Sequence, residues 1–195
     1  MQFAVRIEAG FAETERDALA RLYWQAFGGK LGRVLGPERK ALAFVACALS
    51  PDHALVARQG DVPVGLAGFR DHEGALVDIA LGPMLGSYGV AGALGRSALL
   101  ALRQRDTDNR RFLVDGLAVA EGHRGRGIGS RLLEALAGVA RERGYPAIRL
   151  DVADGNDAAR RLYERLGFRA VQRLESGVAD RLAGGVSMTV MERRP

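Results

Sequence analysis

Apolar residues recur along this chain at two periods, and the switches between them divide it into elements. Leu19, Leu22, Tyr23, Ala26 and Phe27 share one face at helical spacing, so a helix capped by Thr14 is expected through about Phe27, with Gly28 and Gly29 ending it. GGKLGRVLG then reads as a mobile connection. Pro37 suits a first helical position, and Ala41, Phe44, Val45, Ala48 and Leu49 form a second apolar face that Ser50-Pro51 stops. ALVAR and VPVGLAGFR read as a hairpin about a three-residue loop, Gln59-Gly60-Asp61. Residues 71 to 87 carry no clear period. Leu94, Ala98, Leu99 and Leu102 suggest a helix ending near Arg105. RFLVDGLAV follows as a strand, and Ile128, Leu132, Leu133, Leu136, Val139 and Ala140 stripe a helix that Gly144 and Pro146 terminate. AIRLDV is a strand, NDAARRLYERLGF a short helix closed by Gly167, and FRAVQRL and VSMTVME two final strands.

The order predicts a mixed α/β fold in one domain, residues 1–195. Its strand–helix–strand unit at 112 to 152 should be a right-handed crossover with parallel strands. No apolar run approaches the ~20 residues that span a bilayer, and the N-terminus lacks the basic and apolar regions of a signal peptide. Cys47 is the only cysteine, which excludes an internal disulfide and fits a reducing cytoplasm; among AFVACAL it reads as a small buried hydrophobe. His53 and His72 stand apart, with no metal-ligand spacing, so no metal is expected.

Net charge is +5, from 28 basic and 23 acidic residues, which suits a nucleic acid or a small polyanion equally. Aromatic residues make up 6% and no nucleic-acid module is recognisable, so the RGRG string reads as a turn.

The chemistry concentrates in LVDGLAVAEGHRGRGIGSRLLEAL: a strand ending at Val119, a glycine-rich turn, and a helix from about Ile128. Glycines let a ligand approach the backbone, and a helix start offers free N–H groups and a positive dipole end, together an anion site suited to a diphosphate. Arg124 and Arg126 add charge. A Walker A loop fails, since Ile128 follows Gly127 where lysine is needed; a dinucleotide fingerprint fails at Ser130 and Leu132.

What does fit is R-x-x-G-x-G, written as Arg124, Gly127 and Gly129, and then N-x-x-A-x-x-L-Y-x-x-L-G-F, written as Asn156, Ala159, Leu162, Tyr163, Leu166, Gly167 and Phe168. Both, in this order, resemble the GNAT superfamily of acetyl-CoA-dependent N-acetyltransferases, over roughly residues 112 to 170. The resemblance implies a mixed, mostly antiparallel twisted sheet flanked by helices, with a parallel splayed strand pair at its centre and the pantetheine arm of acetyl-CoA between those strands. It implies that Leu117, Ala118 and Val119 contact pantetheine through their backbone, that Arg124, Gly125, Arg126, Gly127, Ile128, Gly129 and Ser130 wrap the pyrophosphate, and that Asn156 reaches the arm from the other side. Tyr163 would sit beside the sulfur and protonate it as the thiolate leaves; its bland alternative is helix packing, and that of Asn156 is an N-cap. Asp115, sharing parity with Leu117 and Val119, is the candidate general base, with Asp78 and Asp151 as competitors; His123 reads as a surface residue.

The resulting expectation is acetyl transfer from acetyl-CoA directly to a primary amine of a small-molecule or peptide acceptor, without nucleic-acid or membrane partners and with a homodimer left open. A non-catalytic acyl-CoA-binding module on the same fold is the alternative. The acceptor is not legible: residues 28 to 36 and 174 to 186, which would shape its site, match no motif.

Overall fold

The computed structural model describes residues 4–77, 86–88, 112–177 and 186–195. Among the described residues seven strands form one sheet: β1 (Val5–Ala9), β2 (Ala54–Gln59), β3 (Val62–Arg70), β4 (Phe112–Val119), β5 (Ile148–Ala153), β6 (Arg169–Leu174) and β7 (Met188–Arg193), in the order β1-β2-β3-β4-β5-β7-β6. Every pairing is antiparallel except β4 with β5. The mixed α/β class and the parallel pair are as the element order predicts, and the antiparallel majority is as the resemblance implies.

Among the described residues α-helices run at α1 (Arg16–Leu35), α2 (Glu38–Ala48), α3 (Ile128–Glu142) and α4 (Asp157–Arg165). The middle of the sheet is buried on both faces, which is why β2 and β3 read as near-continuous apolar runs. On one face Leu19, Leu22 and Tyr23 of α1 and Phe44 and Val45 of α2 pack with Val56, Leu66 and Ala118. On the other, Ile128, Leu132, Leu133 and Leu136 of α3 pack with Ala57, Ala67, Phe69, Phe112 and Ile148. Each fully buried leucine of that stripe contributes roughly 1.5–3 kcal/mol.

Several expectations are corrected. Thr14 caps no α-helix: a 3-10 turn, Glu13–Glu15, comes first, and α1 starts at Arg16. Glu15 fixes that turn, its Oε2 accepting the Ala12 N–H at 2.9 Å while Arg58 Nε donates to Oε1 at 2.8 Å. Gly28 and Gly29 do not end α1, and the stretch expected to be a mobile connection stays helical to Leu35, because Val34 and Leu35 are buried in the core and the ladder closes with Gly36 N–H to Gly32 O at 2.8 Å. The β2–β3 turn has two residues, since Gln59 pairs with Val62. Cys47 is exposed, although its helix neighbours Phe44, Val45, Ala46 and Ala48 are buried. β1 was unforeseen, although Val5 and Ile7 alternate with Arg6 and Glu8 in the manner of an edge strand. The helix expected near Leu94 to Arg105, Asp78 and much of the 174 to 186 loop lie outside the described residues. Among the described residues no helix is long and apolar enough to cross a membrane.

Two features of this fold set up the site. β4 and β5 pair only at Phe112–Ile148 and Leu113–Arg149 and diverge towards their C-terminal ends, as the resemblance implies. Beyond β3 the chain doubles back around Asp71, whose Oδ1 accepts the N–H groups of Glu73 at 2.9 Å and Gly74 at 3.2 Å, lies 3.2 Å from His53 Nε2, and whose other oxygen meets Arg143. The returning residues reach β4 at Asp115.

Candidate active site

Where β4 leaves β5 the sheet opens into a slot of about 970 Å³, at the upper end of the range for small-molecule sites. Val114 to Val119 line one side and Leu150 to Ala153 the other. Gly127 to Ser130 of the loop and α3 close it from one face of the sheet, and Gln25, Ala26 and Phe27 of α1 reach it from the other. The slot therefore passes through the sheet, with separate approaches for two reactants.

The loop is built by its backbone. Gly125 and Gly127 hold φ of 74° and 77°, left-handed values that residues with a Cβ rarely take. At Gly127 this turns the chain into α3: Gly127 is the N-cap, and its carbonyl accepts the Arg131 N–H at 3.1 Å. The N–H groups of Ile128, Gly129 and Ser130 have no intrahelical partner at that position and lie on the lining of the slot. Gly129 packs close to its surroundings: a Cβ there would stand 3.5 Å from Leu162 Cδ2. Arg124 folds back, its Nε donating to the Val119 carbonyl at 3.1 Å, which ties the loop to the end of β4. Arg126 is exposed and, alone among the predicted cofactor residues, contributes nothing to the lining.

From the far side, Asn156 caps α4, its Oδ1 accepting the Ala159 N–H at 3.3 Å, and also lines the slot. Tyr163 lies one face along that helix, its ring 6.0 Å from that of Phe168. Burial pushes the Tyr163 hydroxyl above its ordinary range, so it stays protonated near neutral pH and can act as a donor.

Asp115 corrects the parity reading. Gly68 faces Gly116 and Phe69 faces Val114, so Asp115 is the extra residue of a β-bulge. Phe112 and Val114 before it, and Leu117 and Val119 after it, all pack on the α3 side, while Asp115 turns to the α1 side beside Tyr23 and Arg70. Desolvation raises its carboxyl pKa above the usual carboxylate range, against the opposing charge of Arg70 and the backbone N–H groups of Val77 and Leu76. Tyr23 is raised in turn, by its own burial and then by the Asp115 charge.

The candidate competitors fare differently. Asp151 lines the slot but is held by Arg149, Nε to Oδ1 at 3.2 Å. His123 touches the slot, with Nε2 2.8 Å from Gln59 Oε1, a contact that anchors the loop to the β2–β3 turn.

The acetyltransferase (GNAT) family model matches residues 16–168. The chain belongs to the GNAT family. Streptothricin acetyltransferase of Streptomyces lavendulae is 38% identical to this GNAT chain over 82 residues, 42% of the chain and 43% of that protein. N-alpha-acetyltransferase 30 of Schizosaccharomyces pombe is 41% identical over 58 residues, 30% of the chain and 39% of that protein. The match thus spans about two fifths of the length of these curated relatives. Among solved structures, one described as an acetyltransferase aligns with a TM-score of 0.66 at 21% identity, over 97% of this chain and 98% of its own. The yncA acetyltransferase of Salmonella typhimurium, solved with acetyl-CoA, aligns with a TM-score of 0.59 at 18% identity, over 98% and 94%. At these identities the structures establish the shared fold.

Within this GNAT slot, Arg124, Gly127, Gly129, Asn156, Ala159, Leu162 and Tyr163 of the two motifs stand together with Asp115. The α1 wall of Gln25 to Phe27 and the Arg70 contact were not foreseen. Tyr23, Ala26 and Phe27 had been read as a uniform core face, yet Phe27 is half-buried and Ala26 exposed. That a helix face stops being core where it reaches a gap in the sheet is a signal the apolar pattern does not carry.

Proposed function

We propose that this GNAT protein transfers the acetyl group of acetyl-CoA directly to a primary amine. The observation that carries the reading is the slot through the sheet, which gathers the glycine loop, Tyr163 and Asp115 around one space open from both faces. The residues present fit the donor. An uncrowded backbone at Gly125 and Gly127, where an added Cβ would have nothing within 4 Å, and the free N–H groups of Ile128 to Ser130 suit a diphosphate. Leu117, Ala118 and Val119 offer the edge of β4 that has left β5, an edge suited to the amide groups of the pantetheine arm, and Asn156 faces it across the slot.

Acetyl-CoA supplies an already activated acyl group, so no enzyme nucleophile is required. Asp115, on the α1 side, accepts a proton from the acceptor's ammonium and leaves the amine free to attack. Tyr163, held protonated by burial, donates a proton to the departing sulfur. Because only the carboxylate form of Asp115 accepts a proton, kcat/KM rises as pH increases through its raised pKa. The acceptor enters past Gln25, Ala26 and Phe27. The streptothricin acetyltransferase likeness makes a multi-amine small molecule the first acceptor to try, and the N-alpha-acetyltransferase likeness makes peptide N-termini the second.

The test is CoA release from acetyl-CoA with a panel holding streptothricin, simple polyamines and short peptides. A member of the panel should turn over, and Tyr163→Phe should lower the pre-steady-state acetyl transfer rate by ~10²–10⁴-fold at unchanged acetyl-CoA affinity. A Tyr163→Phe rate within about twofold of the parent would return Tyr163 to a packing role. Tight acetyl-CoA binding with no turnover of any amine would favour a binding module instead.

A further inference from the structure

Arg70 ends β3 directly opposite the bulge in β4. Its Nη2 lies 3.4 Å from Oδ1 and 3.5 Å from Oδ2 of Asp115. Both distances are long for a charge-assisted hydrogen bond, and they are nearly equal. The guanidinium therefore faces the carboxylate as a positive charge rather than as a close fork, and both oxygens keep lone pairs for another donor. Among the described residues the buried Nε of Arg70 has no hydrogen-bond partner, so the side chain is not held there by a complete set of bonds of its own. A purely structural arginine would be expected to satisfy its fork.

Among the described residues the groups that face Asp115 are Tyr23 from α1, Arg70 from β3, and the backbone N–H groups of Leu76 and Val77 from the returning segment. Among the described residues Arg70 is the positive charge in that set. The two side chains are 27% and 19% exposed, enough for an acceptor to reach the carboxylate from the slot and too little for water to screen the pair fully.

We propose that Arg70 is a positioning residue for acyl transfer: its guanidinium keeps the Asp115 carboxylate ionised and turned towards the acceptor's ammonium on the α1 side of the slot. The proposal rests on the reading of Asp115 as general base. The proton passes from the acceptor R–NH₃⁺ to an Asp115 oxygen, giving R–NH₂ and a neutral carboxylic acid. Arg70 then faces an uncharged group, which favours release of that proton to solvent and return of the ion pair. Burial disfavours the ionised form of Asp115; the Arg70 charge opposes that without occupying either oxygen tightly.

The test compares Arg70→Gln, which removes the charge, with Arg70→Lys, which keeps it, in the full chain. The side-chain carboxyl carbon of Asp115 is followed by ¹³C NMR across pH, its signal assigned with Asp115→Asn. The Asp115 midpoint should rise in Arg70→Gln and return towards the parent in Arg70→Lys. With acetyl-CoA and the amine that turns over fastest in the panel, Arg70→Gln should lose about tenfold more kcat/KM on the acid side of the profile than on its alkaline plateau. Added to Asp115→Asn, the same change should cost nothing further. An Asp115 midpoint in Arg70→Gln equal to the parent's overturns the proposal, and if that variant does not fold, an unmoved midpoint in the equally uncharged Arg70→Met does the same. A parent-like rate for Asp115→Asn would remove the base reading instead, a result read independently of the NMR midpoint.

Discussion

Two glycine-rich stretches, 28–36 and 125–129, suggest the same thing in sequence and fold in opposite ways. In the second, Gly125 and Gly127 adopt left-handed backbone, the chain turns sharply, and a helix begins. In the first, Gly28, Gly29 and Gly32 lie inside α1 with ordinary helical backbone, and the helix runs on to Leu35. The difference lies in what surrounds each stretch. The loop at 125–129 follows a strand that has lost its neighbour, and it needs dihedrals that other residues rarely supply. The stretch at 28–36 is carried by Val34 and Leu35, whose burial outweighs the roughly 1 kcal/mol that each helical glycine costs. Gly28 also has a packing role, since a Cβ there would lie 2.8 Å from the Trp24 indole. Glycine marks a turn where the backbone demands it and a close contact where a neighbour does, and spacing alone does not separate the two.

The comparison can be broken at each end. Gly127→Glu should have the largest effect: a carboxylate at the loop would repel a diphosphate, and its backbone would be strained. Saturating acetyl-CoA should raise the melting temperature of the parent and leave that of the variant unmoved; an equal rise in both would show that the loop does not hold the phosphates. Gly28→Ala comes next. Its Cβ would meet a rigid ring, so a loss of about 1–3 kcal/mol is expected in denaturant unfolding, along with a weaker amine KM because the neighbouring Gln25 to Phe27 line the slot. Gly29→Ala should have the smallest effect and the opposite sign. Nothing lies within 4 Å of its Cβ position, so the gain in helix propensity should appear as a stabilisation of about 0.5–1 kcal/mol. A destabilised Gly29→Ala protein would mean that α1 breaks there in solution.

What could be read from the chain was local. The stripe of α3 and its start near Ile128, the cap at Asn156, and the strands on either side follow from spacing of three, four or two residues. The splay of β4 from β5 was legible only through the resemblance carried by the two motifs. What could not be read was non-local. The bulge at Asp115 arises from register against β3, and it reverses the side to which that carboxylate points. The α1 wall of the slot and the Arg70 contact bring together residues that are far apart in sequence. The persistence of α1 past Gly29 depends on a core that local propensity does not describe.

An open sheet also has two outer edges, and each could recruit a further strand from another chain. In β6 every residue is exposed, yet Val171 is the extra residue of a bulge between Ala170 and Gln172, so the row of donors and acceptors is interrupted midway. Arg169 and Arg173 add charge to the same strand. At the opposite edge Arg131 reaches across from α3 and donates to the Val5 carbonyl at 2.8 Å, while Arg6 and Glu8 form a surface ion pair at 3.6 Å. The sheet thus stays parted at its centre while both margins are made poor templates for edge-to-edge aggregation.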